Sequence, residues 1–367
     1  LSKKTILFVR PSLGYGGADR VTLNLLNNCD FEKYDVSLAL LHLNGEFQSY
    51  LDSRVTVYSL NASSLWFAVK PIISLLKLKS FDVVFSTCGG MSIPMMLAAT
   101  ISKFNGKTIV SERNSLDRTY SSWLKKTMLL GLKKRLYKRA SLVTAVSEEI
   151  KEQIQLRFDV PLEQIKVVHN PLIDERFYEQ LNEPVNTESI DKDKHTFIAI
   201  GRFVKQKDYP TLLKAFKETL VTVPNSQLVI LGKGPLQSKI NLLITELGLE
   251  NDVNLIGFDP NPFKYLKHAD VFVLSSLHEG MPGVLIQAMA AGLPCISTEC
   301  PTGPKEIIVN SENGLLVPVG DYNKLATAMS ELAQNSDLRK NLGERARVSV
   351  KPFGIKEGIE SYFNLIN

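Results

Sequence analysis

Short apolar runs alternate with helical patterns along the whole chain, and few architectures accept that order. Residues 5–9, 36–41, 55–60, 83–86, 108–111, 142–146 and 165–169 read as strands, with helical patterns over 21–27, 65–78, 94–102 and 123–139. Strands that alternate with crossover helices build a parallel, doubly wound α/β sheet covered on both faces. The pattern restarts at 196–200 and runs on through 227–231, 253–258 and 271–274, with helices expected from Tyr209, over 284–291 and over 325–346. Between the repeats, DERFYEQLNEPVNTESIDKDKH is polar, acidic and interrupted by proline, which is linker composition. At 367 residues the chain has length for two cores. The predicted division is 1–172 as one Rossmann-like domain, 173–194 as linker and 195–351 as a second.

Composition narrows the class. Cys29, Cys88, Cys295 and Cys300 are scattered with no C-x-x-C pair, which predicts reduced thiols in a cytosol. The histidines show no metal-ligand spacing, so no metal is expected. No apolar run has the length of a membrane span, and with a strand expected at the very start no signal peptide is expected. Charge is uneven: residues 1–170 carry 23 Lys and Arg against 14 Asp and Glu, and the remainder 20 against 24. A basic half beside an acidic half predicts two different partners, with nucleic acid or an anionic membrane surface as candidates for the basic one.

Several strand ends carry residues suited to anions. Ser12-Leu13-Gly14-Tyr15-Gly16-Gly17-Ala18-Asp19-Arg20 is a glycine-rich turn from strand to helix, where backbone N–H groups can approach an anion closely. Gly14-x-Gly16-x-x-Asp19 falls one glycine short of the dinucleotide fingerprint, with Asp35 near its acidic position; a turn without ligand is the other reading. Ser111-Glu112-Arg113-Asn114 closes a strand, where ligand crevices form, although Glu112 and Arg113 could equally be a surface ion pair. Gly201-Arg202 and Lys207-Asp208 stand between a strand end and a helix that Asp208 would cap. Arg offers a planar fork for phosphate oxygens and Lys a mobile point charge; two solvated surface cations is the alternative. Finally, HEGMPGVLIQAMAAGLPCIS reads as a strand end, a loop bearing Glu279, and a helix with Pro282 in its first turn and Gly292 as its stop. That arrangement delivers Glu279 and a helix N-terminus to a ligand, unless it is an ordinary crossover with a surface Glu.

Residues 123–139, from Trp123 to Arg139, carry seven basic residues and no acidic one. Leu124, Met128, Leu132 and Leu136 fall on one helical face, with Leu129 beside them. The helix is either a core helix with a solvated basic face or one lying on an anionic membrane, where each basic residue contributes roughly 1 kcal/mol.

Six elements, in order, resemble the retaining nucleotide-sugar-dependent glycosyltransferases of family 4: GGADR, SERN, GR-x(4)-KD, GKGP (232–235), EGMP with Gln287, and CPTGP (300–304). Glu279, Gly280, Pro282, Ala288, Ala290, Gly292 and Pro294 match the family frame, but Gln287 replaces its second Glu. The resemblance implies a GT-B fold, two Rossmann-like doubly wound parallel-sheet domains facing across a cleft, with a C-terminal helix (352–367) returning to the first domain. It implies a UDP-sugar donor held by the second domain: Arg202 and Lys207 on the diphosphate, Glu279 on the sugar, Gln287 toward the ribose. Gly16, Gly17, Gly201, Gly232, Gly234, Phe258, Gly280, Met281, Pro282, Gly283 and Val284 would complete the donor site. Tyr15, Glu112, Arg113 and Asn114 would lie on the acceptor side, facing a glycan carried on a polyprenyl diphosphate. The expected place is the cytoplasm, peripheral on the inner face of the plasma membrane, with no nucleic acid partner and no cofactor beyond the nucleotide-sugar co-substrate. A hexose or N-acetylhexosamine would be moved in surface polysaccharide or oligosaccharide assembly. Three rivals stand beside this: a GT-B-fold UDP-sugar epimerase, an NAD-dependent oxidoreductase using Gly14, Gly16 and Asp35, and a non-catalytic sugar-nucleotide-binding subunit.

Overall fold

The computed structural model describes residues 2–14, 16–114, 116, 123–185 and 190–367; of 123–126 only the backbone is described. The chain divides into two compact units, Leu1–Pro171 with Ile355–Asn367, and Leu172–Gly354.

The first unit holds strands β1 (Lys4–Arg10), β2 (Tyr34–Leu40), β3 (Thr56–Ser59), β4 (Val83–Ser86), β5 (Lys107–Glu112), β6 (Leu142–Ala145) and β7 (Ile165–Val167). Among the described residues they form a seven-stranded sheet in the order β3-β2-β1-β4-β5-β6-β7. Every pairing is parallel. Ile6, Leu7, Phe8 and Val9 are all buried, because β1 is central and covered on both faces. Helices α1 (Gly17–Asn27), α2 (Val69–Leu78), α3 (Gly89–Ser102), α4 (Trp123–Tyr137) and α5 (Glu148–Phe158) are the crossovers. The C-terminal helix Ile355–Asn364 belongs to this unit: Tyr34 and Phe363 rings lie 4.6 Å apart, and Gly358 sits against Pro171, where a Cβ would come within 2.8 Å.

The second unit has β8 (His195–Ile200), β9 (Ser226–Leu231), β10 (Val253–Gly257), β11 (Val271–Leu274), β12 (Cys295–Thr298) and β13 (Leu315–Val317). Among the described residues its order is β10-β9-β8-β11-β12-β13, again parallel throughout. Its helices are α6 (Glu175–Asn182), α7 (Tyr209–Thr222), α8 (Gln237–Leu247), α9 (Gly283–Ala290), α10 (Pro304–Ile307), α11 (Tyr322–Gln334) and α12 (Ser336–Ser349). Phe197, Phe203, Phe216, Leu228, Ile230, Val273 and Met329 make up much of its core.

Several expectations are corrected. The 173–194 linker contains α6, because Asp174 caps it (its carboxylate accepts from Phe177 N at 2.8 Å) and Phe177 packs on Phe263 with ring centroids 5.2 Å apart. Helix α1 starts at Gly17 rather than Val21, so the glycine turn supplies its first turn. Pro94 lies inside α3, not at its start; an extended Cys88 begins the helix, and buried Met91, Met95 and Met96 hold it despite the missing N–H. The single helix expected over 325–346 is two: Asn335 leaves the helical region and its side chain accepts from Leu338 N at 2.9 Å. Helix α4 buries the predicted stripe only in part. Of its residues Met128 is exposed, Leu132 half-buried and Leu136 buried, the side chain of Leu124 lies outside the described residues, and Tyr137 and Lys133 turn inward beside them.

Candidate active site

The strand order of the second unit's sheet reverses between β8 and β11. At such a switch point the loops leaving the two strands part, and a ligand crevice opens at the carboxyl ends. Here those loops are 201–208, carrying Arg202 and Lys207, and 275–282, carrying Glu279.

The two loops are tied together. Lys207 Nζ lies 2.7 Å from Glu279 Oε1, and both side chains are largely buried. Ser276 Oγ donates to the same oxygen at 2.6 Å, and Gln206 Nε2 approaches Oε2 at 3.3 Å. Gln206 Nε2 also donates to His278 O at 2.8 Å, Leu277 N donates to Gln206 O at 2.8 Å, and Ser275 Oγ donates to Lys207 O at 2.8 Å. From below, Thr302 donates its hydroxyl to the Glu279 carbonyl, with its own backbone in the left-handed region at φ 66°. Glu279 is therefore not a surface residue of an ordinary crossover. Burial, with Glu279 as the next contributor, raises the Tyr209 hydroxyl pKa well above its usual range and pushes the Cys300 thiol up to about 12. Arg202 is exposed and makes no ion pair among the described residues.

Glycine is required where these loops touch. A Cβ on Gly232, at φ 149°, would stand 1.9 Å from Gly201 O, and one on Gly303, at φ 80°, would stand 2.3 Å from Gly280 O. The loops after β8 and β9, and those before α9 and α10, thus pack backbone on backbone. Gly234 does the same against Phe203, where a Cβ would come within 2.6 Å of the backbone. Helix α9 follows Pro282, which stands at the N-cap position rather than inside the first turn, and no side chain caps that end. The leading N–H groups, from Gly283 and Val284, are thus available to an anion. Met281 is buried, as is Gln287, whose side-chain amide makes no hydrogen bond within the described residues. Phe258 is partly exposed at the end of β10, with Lys233 Nζ 4.1 Å from its ring centre. Asp208 stands at the N-cap of α7 but does not cap it by side chain; its carboxylate accepts from the Thr211 hydroxyl at 2.6 Å instead.

In the first unit the glycine turn is closed by its own acid. Asp19 pairs with buried Arg10 and accepts from Gly16 N at 3.0 Å. Arg10 also donates to Thr22 Oγ1 at 2.5 Å, Thr87 Oγ1 at 3.1 Å and Ala18 O at 3.0 Å. A pyrophosphate pressed on this turn would meet a carboxylate, which weighs against the dinucleotide reading; Asp35 is exposed on β2. Glu112 and Arg113 are both buried and do not pair with each other. Glu112 is held by Lys133 and by the Tyr137 hydroxyl at 2.5 Å; Arg113 donates to Asn170 Oδ1 at 3.1 Å and stacks over Tyr362, 5.6 Å from its centre. Arg113 Nε and Nη2 are buried without partners, and Asn114 is half-buried beside them in sequence. Tyr15 lies outside the described residues. Among the described residues, no three His, Cys, Asp or Glu side chains come together as metal ligands.

Sequence reasoning passed over Gln206, Ser276, Thr302 and Arg10. Gln206 adjoins Lys207, Ser276 stands three residues before Glu279 and Thr302 lies inside CPTGP, so nearness to those elements was their only signal. Arg10 ends a strand and gave none.

Two family models match. Residues 15–176 match Glycosyltransferase Family 4, and residues 183–349 match Glycosyl transferases group 1. Among curated proteins, the chain is 28% identical over 359 residues to the Campylobacter jejuni N-acetylgalactosamine-N,N'-diacetylbacillosaminyl-diphospho-undecaprenol 4-alpha-N-acetylgalactosaminyltransferase, covering 93% of each chain. It is 38% identical over 220 residues to an uncharacterised glycosyltransferase of Methanocaldococcus jannaschii, covering 59% of this chain and 54% of that one. Among solved structures, Anabaena HepE in complex with UDP-glucose superimposes with a TM-score of 0.84 at 18% identity, covering 99% of both chains. The protein is an enzyme, a glycosyltransferase. It belongs to the family 4 glycosyltransferases and has their GT-B fold of two Rossmann-like parallel-sheet domains.

Proposed function

We propose that this enzyme moves a hexose or N-acetylhexosamine, with retention of configuration, from a UDP-sugar to a lipid-linked glycan in bacterial surface polysaccharide or oligosaccharide assembly. The single observation that carries the donor site is the meeting of Lys207 and Glu279 at a switch point, beside exposed Arg202 and an uncapped helix N-terminus. The likeness to HepE, crystallised with UDP-glucose, supports a uridine donor, and the likeness to an enzyme named for a diphospho-undecaprenol substrate supports a lipid-linked acceptor.

The chemistry asks for ionisation of a sugar–phosphate bond. As that bond breaks, its electron pair passes to the diphosphate, whose growing charge faces Arg202, Lys207 and the N–H groups of α9. Glu279 binds sugar hydroxyls and faces the positive charge developing at the anomeric carbon. The acceptor oxygen attacks from the face the phosphate leaves, and a donor phosphate oxygen takes its proton, so no protein base is required. Gln287 meets the ribose, and Phe258 with Gly232 and Gly234 frames the nucleotide. On the acceptor side stand Tyr15, Glu112, Arg113 and Asn114. The donor is a co-substrate and no resident cofactor takes part. The basic helix α4 would lie on the anionic inner face of the plasma membrane, keeping the enzyme peripheral; no described helix is long and apolar enough to cross a membrane.

The test is release of UDP from a panel of UDP-sugars, with and without polyprenyl-diphosphate-linked glycans, by wild type and Glu279→Gln. Acceptor-dependent release that Glu279→Gln abolishes supports the proposal. Turnover of UDP-N-acetylglucosamine without acceptor would make the protein an epimerase, and donor binding with no turnover by any acceptor would make it a binding subunit.

A further inference from the structure

We propose that Gln206 is a positioning residue that keeps Glu279 aimed at the donor sugar while Lys207 exchanges Glu279 for the donor diphosphate. The inference rests on Glu279 being the residue that meets the sugar. Lys207 Nζ and Ser276 Oγ share Oε1 of Glu279 at 2.7 and 2.6 Å. A diphosphate carries more charge than a carboxylate and draws the mobile ammonium of Lys207 toward itself. Glu279 then needs other donors, or its carboxylate is free to turn.

Gln206 supplies them from both ends. Its side-chain amide has two N–H bonds, and the two acceptors in reach are His278 O at 2.8 Å and Glu279 Oε2 at 3.3 Å. Its backbone carbonyl accepts from Leu277 N at 2.8 Å. One residue therefore grips three consecutive residues of the 275–282 loop, while its neighbour Lys207 is held through its own carbonyl by Ser275 Oγ at 2.8 Å. A neutral amide suits the role. It orients the carboxylate without forming a second ion pair, so the charge of Glu279 stays directed at the sugar. When Lys207 moves, Ser276 still holds Oε1 and Gln206 still holds Oε2.

The readout is the gain in affinity of a UDP-sugar over UDP, because that gain comes from contacts with the sugar. Calorimetric titration with UDP, UDP-glucose, UDP-galactose and UDP-N-acetylglucosamine would compare wild type, Gln206→Ala, Gln206→Asn, Gln206→Glu and Glu279→Gln. Wild type should bind at least one of these sugars more tightly than UDP. Gln206→Ala should lose that preference by roughly tenfold, the scale of one charge-assisted hydrogen bond, with UDP affinity held within about twofold. Gln206→Asn, which keeps the amide but shortens its reach, should fall between. Gln206→Glu sets two carboxylates together, so the preference should be absent at high pH and return on acidification as one of them protonates. A role in holding the loop together and nothing more would weaken UDP and UDP-sugars alike with no pH dependence, and would overturn the proposal. So would full preference in Gln206→Ala beside its loss in Glu279→Gln. Full preference in Glu279→Gln, or none in wild type, would overturn the reading of Glu279 itself.

Discussion

Lys207 and Glu279, 72 positions apart in sequence, meet with Nζ 2.7 Å from Oε1, across the two loops that leave the switch point of the second sheet. A pair this buried is costly to break from one side, because the remaining charge loses its partner.

Lys207→Ala should therefore destabilise the fold by about 1–3 kcal/mol, less than a fully bare charge would, since Ser276 and Gln206 still donate to Glu279. Combining it with Glu279→Gln should cost less than the sum of the two single changes. Urea denaturation of the three variants measures this, and strict additivity would show that the pair contributes no coupling.

Gln287 is buried with its amide unused among the described residues. Gln287→Glu should keep or raise UDP affinity, by up to about tenfold, because a carboxylate accepts a ribose hydroxyl more strongly than an amide does. The unliganded variant should melt at a lower temperature, since a carboxylate replaces a neutral group in a buried place. Weaker UDP binding by a folded Gln287→Glu would show that Gln287 is not directed at the ribose.

Gly232 and Gly248 separate close approach from backbone strain. Both have positive φ, but only Gly232 has backbone within 4 Å of a Cβ position, Gly201 O at 1.9 Å. Gly248→Ala should cost on the order of 1 kcal/mol, and Gly232→Ala at least twice that, with UDP stabilisation lost as the β8 and β9 loops part. Equal costs for the two would contradict the packing described here.

Burial pushes the Cys29 and Cys300 thiols up to about 12 and raises Cys295 well above its usual range. Only a thiolate attacks an alkylating agent, so at pH 8 these three should stay protonated and protected. Cys88 is the half-buried thiol and should be alkylated first in the native protein. Peptide mass spectrometry after a short iodoacetamide pulse reads the order, and rapid labelling of Cys300 would contradict the buried floor beneath Glu279.

The fold was largely legible because strands buried on both faces write themselves as uninterrupted apolar runs. Val83–Ser86 and Val271–Leu274 have the bounds expected of them. What failed were segments whose fate depends on partners distant in sequence. The polar 173–194 stretch hides α6, because Phe177 finds Phe263 only in the folded unit. The stripe on α4 gave only part of the buried face, because Lys133 is drawn inward by Glu112, an attraction that apolar spacing cannot express. At the candidate site, Arg202, Lys207 and Glu279 were visible as charged residues at strand ends. Their bracing was not, since Gln206, Ser276 and Thr302 are ordinary polar residues until the loops are brought together.

The most direct test of the account is thermal stabilisation by UDP, GDP, ADP and NAD, measured on wild type and on Arg202→Ala. Arg202 is exposed and its loss should leave the unliganded melting temperature nearly unchanged. The account predicts that UDP stabilises wild type most, by about 2.7 kcal/mol at a hundredfold excess over its dissociation constant, and that Arg202→Ala loses much of that gain. Stabilisation by NAD instead, indifferent to Arg202, would place the nucleotide on the Gly14–Gly17 turn and contradict the donor site at Lys207 and Glu279.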